Sequence, residues 1–232
     1  MTATAFAPNL GATTTEALVD DPIHGRRPLL RGRLHQAAFV ASIPLGVLLV
    51  SAARADARLA VAVYAVTWTL MFGTSATYHV IAQTPAARFW LRRADHSAIF
   101  VHIAGANTAL LVLALPGRIA LPLVAAVWVG AGFGVADKMT NLDGAHHGVS
   151  WLYPLLGSAP VLATPGLVAR IGLVAVVLLL ATLALYGIGA VCFSMKRPDP
   201  IPTVFGYHEV WHVFTVLAGA SQLALTFLVS VG

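Results

Sequence analysis

The chain has 232 residues, of which 58% are hydrophobic and 10% charged, against about 25% charged in an ordinary soluble domain. That balance excludes a water-soluble core, and the single cysteine, Cys192, excludes an internal disulfide and any multi-cysteine metal or iron-sulfur site. The net charge of +5 comes mainly from twelve arginines placed between apolar runs with no long basic stretch, which points to membrane orientation and away from nucleic acid.

Residues 1–33 read as a flexible basic tail rich in Thr, Ala, Gly and Pro, with Arg26, Arg27, Arg31 and Arg33 just ahead of the first apolar run. No apolar core behind a basic start makes it a cleavable signal peptide. Residues 34–232 are expected to form one all-α domain, a polytopic bundle of seven transmembrane helices, because several runs approach the roughly 20 residues that cross a bilayer. The first two spans cover about 37–53 and 59–82. A segment carrying Arg88, Arg92 and Arg93 comes next, and a third span runs from about 95 to 115. Pro116-Gly117-Arg118 is a turn signal. The fourth span, about 119–136, holds Gly130 and Gly134 at a spacing that lets helices approach closely. A polar loop, 137–148, contains Lys138, Asp143, His146 and His147, which read as solvated. The fifth run, 149–164, is short and carries Pro154 and Pro160, so it is the weakest crossing. The sixth covers about 167–194 and includes Cys192, read as a small buried hydrophobe. The segment Met195 to Pro200 forms a rigid connection to the seventh span, Tyr207–Val231. With seven crossings, Lys and Arg number ten on the side of the N-terminal tail and four on the other. The positive-inside rule then puts the N-terminus in the cytoplasm.

Three polar clusters fall at that same boundary. His208 and His212 are four residues apart, hence on one helical face, and that face continues as Thr215, Gly219, Gln222 and Thr226. Ser75 and His79 are similarly spaced at the end of the second span, and Asp95-His96 opens the third. An even-numbered span ends, and an odd-numbered span begins, on one side of the membrane, so all three clusters meet there. Three imidazoles from two helices can fill three corners of a tetrahedron around zinc and leave the fourth open, the catalytic arrangement. Asp95 is the nearest carboxylate to orient a water or take its proton. Each residue also has a simpler reading. Asp95 suits a helix N-cap, Ser75 can bond its own carbonyl one turn back, and His79 can be an interfacial side chain. Glu209, about 100° around the helix from His208, suits the positive helix N-terminus. His102, seven residues beyond Asp95, reads as a base or a further polar contact deeper in the membrane, His35 and His96 as interfacial, and the five tryptophans as belts and packing.

The residues Ser75-x-x-x-His79, Asp95-His96-Ser97-Ala98-Ile99-Phe100 with Gly105, and His208-Glu209-Val210-Trp211-His212-Val213-Phe214 followed by Ala218-Gly219 resemble the hemolysin III group of the progestin and adipoQ receptor family, to which the adiponectin receptors belong. The resemblance covers about 33–231. It implies a seven-helix fold with the N-terminus inside, in a bacterial inner (plasma) membrane. It also implies a zinc ion held by His79, His208 and His212, with Asp95 holding a zinc-bound water and Ser75 beside the metal. The chain departs from the bacterial pattern at Gly105-Ala106-Asn107-Thr108-Ala109, which lacks the usual Gly-Thr-Tyr-Thr-Pro, and His102 stands where an apolar residue is usual.

The leading functional expectation is a zinc-dependent hydrolase of a membrane lipid amide or ester, with Asp95 as general base and Ser75 as a donor to the developing oxyanion. Resemblance to receptors with ceramide-hydrolysing behaviour supports that class. The alternatives are a non-enzymatic membrane sensor stapled by a structural zinc and a cytolytic pore-former. A retinal protein needs a membrane-buried lysine, whereas Lys138 and Lys196 fall in expected loops, and bis-histidine haem binding needs histidines deep in facing helices.

Overall fold

The structure is a computed structural model that describes residues 27–142 and 149–232. Residues 1–26 of the expected tail, and Asp143, His146 and His147 of the expected loop, lie outside the described residues. Among the described residues, seven helical segments are long and apolar enough to cross a membrane: α1 (Arg33–Ala52), α2 (Arg58–Ile81), α3 (Pro85–Ala114), α4 (Gly117–Asn141), α5 (Leu152–Ile171), α6 (Val174–Ser194) and α7 (Tyr207–Val231). No strand is formed among the described residues beyond an isolated bridge between Ile201 and Phe205 in the α6–α7 connection. The chain is an all-α membrane protein. Each helix packs on the next and α7 returns against α1, while α3 also meets α5 and α7 and is the most buried of the seven.

Helix α3 starts ten residues before the apolar run that betrays it. Thr84 caps it by accepting from the Ala87 N–H at 3.1 Å, and Pro85 occupies the first turn, where its missing N–H costs nothing. Its 30 residues span about 45 Å, more than the hydrocarbon thickness, so its first turns extend past the apolar layer. There Arg93 is buried and donates from Nε to the Met139 carbonyl at the end of α4. Asp95 is therefore an interior helix residue of α3 and not its cap. Helix α4 likewise continues to Asn141, where Lys138 bonds Asp137 at 3.1 Å and Ser150 at 3.0 Å.

The fifth crossing is broken. Two α-helical pieces, Leu152–Gly157 and Thr164–Ile171, flank a 3-10 turn over Ala159–Ala163. Prolines 154, 160 and 165 remove backbone donors there. Gly172, at φ 66°, ends the crossing in a conformation that suits glycine. Residues 167–171 therefore belong to the fifth crossing, whereas hydropathy assigns them to the sixth. Gly130 and Gly134 do admit close neighbours: a Cβ at Gly134 would sit 2.5 Å from the Phe100 ring of α3, and one at Gly130 would sit 2.9 Å from Leu156. Cys192 is only half-buried on α6.

Candidate metal centre

The polar clusters meet at the end of the bundle where α2 finishes and α3 and α7 begin. His79 lies within a π-helical turn, Thr77–Ile81, that closes α2 with the Ala82 N–H bonded to the Thr77 carbonyl at 3.1 Å. Such a turn carries one extra residue per hydrogen-bonded loop and so changes the direction of the side chains beyond it. Ser75 and His79, one α-turn apart in sequence, both reach the Asp95 carboxylate but differ in their other partners. His79 turns toward α7, where its Nε2 stands 3.2 Å from Nε2 of His208. Ser75 turns toward α1, where its Oγ is 2.7 Å from Nδ1 of His35.

Helix α7 presents His208 and His212 from its first turns. Glu209, fully buried at N3 of this helix, accepts from the Gly206 N–H at 2.9 Å and from Arg31 Nε at 2.6 Å. The expected role of Glu209 at the helix N-terminus is thus met, and its cationic partner comes from the segment before α1. That segment is strapped across the end of the bundle. The Leu29 and Leu30 N–H groups donate to the carbonyls of Thr203 and Val204 at 3.0 Å, and Arg27 donates to the His79 carbonyl at 3.2 Å. Gly32, at φ 77°, rests on His79 so closely that a Cβ there would overlap the His79 Cβ.

The three imidazoles offer ligand atoms that all lie within 4.8 Å of one another. Ring centroids are 4.7 Å apart for His79 and His208, 4.7 Å for His208 and His212, and 5.2 Å for His79 and His212. The Asp95 carboxylate approaches to 3.7 Å from His79 Nε2 and retains 13% exposure. Two nitrogens on one tetrahedral zinc, each about 2.0–2.1 Å from it, stand about 3.3 Å apart, close to the 3.2 Å between His79 and His208. Nδ1 of His79 and Nδ1 of His212 are buried without hydrogen-bond partners among the described residues. This donor set and its spacing fit one divalent ion, with the Asp95 carboxylate close by.

The chain matches the model of the family described as "Haemolysin-III related" over residues 24–223. It belongs to the haemolysin-III-related family. Hemolysin-3 of Bacillus cereus is 29% identical to it over 193 residues, 82% of this chain and 84% of that one. A hemolysin-3 homolog of Bacillus subtilis (strain 168) is 28% identical over 161 residues, 69% of this chain and 72% of that one.

In this haemolysin-III-related chain some polar residues of the expected site stand apart from the triad. His102 is buried deeper, with Nε2 3.4 Å from the Tyr186 hydroxyl of α6, and joins no metal-capable group among the described residues. His96 donates from Nδ1 to the Arg92 carbonyl at 2.9 Å. His35, expected at an interface, is instead buried beside the triad, and its flat neighbour is His212 at 3.7 Å between centroids. No spacing on its own helix announces it, because its partners come from α2 and α7. A groove of about 300 Å³ between α1 and α7 is lined by Leu45, Leu48, Leu49, Ala220, Leu223, Ala224 and Phe227. It lies about two to four turns beyond His212 and is apolar, so it offers no chemistry of its own.

Proposed function

We propose that this chain is a zinc-dependent hydrolase that cleaves an amide or ester of a membrane lipid. The observation that carries the reading is the convergence of His79, His208 and His212 within 4.8 Å, with the Asp95 carboxylate 3.7 Å from His79. Zinc held by these three imidazoles would supply a Lewis acid for a carbonyl and would lower the pKa of water from about 16 toward about 7. Asp95 acts as general base, because its carboxylate lies 3.7 Å from a ring nitrogen of the triad and keeps some solvent access. Ser75, one turn back on α2, is buried with its hydroxyl within hydrogen-bonding reach of Asp95. Glu209 and Arg31 hold the first turn of α7 so that His208 and His212 keep their spacing.

The membrane frame supports substrate delivery from lipid. Arg33, Arg88, Arg92, Arg93, Lys138, Lys196 and Arg197 gather at the triad end of the bundle, and Arg54, Arg58, Arg118 and Arg170 at the other. On the positive-inside rule the triad end and the N-terminus face the cytoplasm, which for a bacterial chain means the inner membrane. A carbonyl group near the polar boundary of the cytoplasmic leaflet is then at the depth of Asp95. The strap formed by residues 27–32 supports one other reading, a closed structural zinc site that staples α2 to α7 without turnover.

One experiment separates the two. Purified protein in lipid nanodiscs is given a long-chain ceramide or a lipid ester, with fatty-acid release followed by mass spectrometry and zinc content by elemental analysis. Hydrolysis that disappears in Asp95→Asn while zinc stays bound supports the enzyme, and zinc retention with no hydrolysis by the wild type supports the staple.

A further inference from the structure

A fourth histidine contributes to the geometry of the triad without offering it a ligand. His35, in the first turn of α1, spends both ring nitrogens elsewhere: Nδ1 is 2.7 Å from Ser75 Oγ on α2, and Nε2 is 2.7 Å from Thr215 Oγ1 on α7. Its ring lies flat on His212, with centroids 3.7 Å apart and an interplanar angle of 15°, while Phe72 abuts it edge-on at 5.1 Å.

The direction of these hydrogen bonds is set by Thr215. Its hydroxyl donates its single proton to the His212 carbonyl at 2.9 Å, since a carbonyl only accepts. Thr215 Oγ1 must therefore accept from His35, which puts the imidazole proton on Nε2 and leaves Nδ1 as an acceptor. The Ser75 hydroxyl, 2.7 Å from Nδ1, also stands within hydrogen-bonding reach of the Asp95 carboxylate, so two acceptors share its single proton. From His35 the donation runs through Thr215 to the backbone of His212. Ser75 has no second proton for an oxyanion, so the donor role suggested by its place in the sequence conflicts with this wiring.

Metal-ligating histidines ordinarily have their second ring nitrogen hydrogen-bonded to a carboxylate or carbonyl, which fixes the ring plane. His212 has no such bond at Nδ1, which is buried without a partner among the described residues. What fixes its plane is the face of His35, itself clamped at both nitrogens. We propose that His35 is a positioning residue of the metal centre, one that sets the orientation of the His212 ring through a flat stack instead of through a hydrogen bond. The inference rests on the zinc reading given above. It assigns to α1, a helix that supplies no ligand, control over the ligand geometry of α7.

The test uses the full-length protein stripped of metal and reconstituted with Zn²⁺ or Co²⁺. Affinity is read by competition with a chelating dye, and ligand geometry by the visible d–d bands of the cobalt form. His35→Gln keeps a donor and an acceptor but removes the ring, and is expected to weaken Zn²⁺ binding about 10- to 100-fold, the usual cost of losing a residue that orients a ligand, and to alter the cobalt spectrum. Thr215→Val preserves side-chain shape and unclamps Nε2 of His35, and is expected to change the cobalt spectrum in the same direction with a smaller loss of affinity. Should His35→Gln fail to fold, Thr215→Val carries the test alone. Spectra and affinities indistinguishable from wild type in the folded variants would overturn the positioning role and leave the zinc reading intact. Failure of the wild type to take up either ion would remove the zinc reading itself and this inference with it.

Discussion

Loss of the Glu209 carboxylate should destabilise the helix end that presents His208 and His212. The Arg31–Glu209 pair is 2.6 Å long, and the two side chains are 3% and 0% exposed. Removing one partner of a pair so enclosed typically costs about 3–5 kcal/mol, because the remaining charge loses its counter-ion at 2.6 Å. Glu209→Gln keeps an oxygen that can accept from Gly206 N–H, so its loss should sit near the lower end, about 3 kcal/mol. Glu209→Ala also surrenders the cap and should lose about 1 kcal/mol more. Reversible unfolding in mixed maltoside–SDS micelles reads these differences directly. The double variant Arg31→Met with Glu209→Leu should unfold less readily than either single variant, because both buried charges are then removed together. A Glu209→Gln protein within about 0.5 kcal/mol of wild type, the range of ordinary surface changes, would show that the pair is solvated and does not seal the strap to α7.

Three further outcomes test other parts of the structure. Gly32→Ala should reduce both stability and metal affinity, because the left-handed conformation at φ 77° costs a side-chain-bearing residue roughly 1–2 kcal/mol and its Cβ would press on His79; unfolding and dye-competition measurements report the two effects. Asn107→Ala should cost about 1–2 kcal/mol of stability with unchanged zinc binding, since the buried amide donates to the Ile103 and Leu156 carbonyls at 2.9 and 3.1 Å and ties α3 to α5 far from the triad. Stripping zinc with a chelator should lower the thermal midpoint, and restoring free zinc to about a hundred times its Kd should return about 2.7 kcal/mol; a midpoint indifferent to zinc would argue against a site made by the folded chain alone.

Much of the architecture was legible because hydrophobic run length is a direct consequence of bilayer thickness. The seventh span could be placed at Tyr207–Val231 from the sequence, since a loop held by prolines precedes it and its polar stripe is periodic. That stripe, Thr215, Gly219, Gln222 and Thr226, does face the interior. The start of α3 was not legible from hydropathy, because Arg88, Arg92 and Arg93 occupy helical turns beyond the apolar layer; the Thr84-Pro85 start signal was present and outweighed by charge. The boundary between the fifth and sixth crossings was lost for a different reason: Gly172 is a single small residue inside one apolar run, and only its backbone angle marks the break.

The triad itself was legible because two of its members share a helix and the third lies at a span end whose side is fixed by parity. His35 was not, because an imidazole whose partners lie 40 and 180 residues away leaves no periodic trace. Arg31 was visible only as one of several arginines before α1, and its pairing with Glu209 across 178 residues is a product of the strap's path. The π turn at His79 is equally silent in sequence.

The most direct measurement is the metal content and ligand shell of protein purified without chelators, by elemental analysis joined to X-ray absorption at the zinc edge. One zinc per chain, with three imidazole nitrogens at about 2.0–2.1 Å that fall to two in His79→Ala, His208→Ala and His212→Ala alike, is the expected result. A folded wild-type chain that holds no divalent metal, or one whose zinc shell is unchanged when His79 is removed, would contradict it.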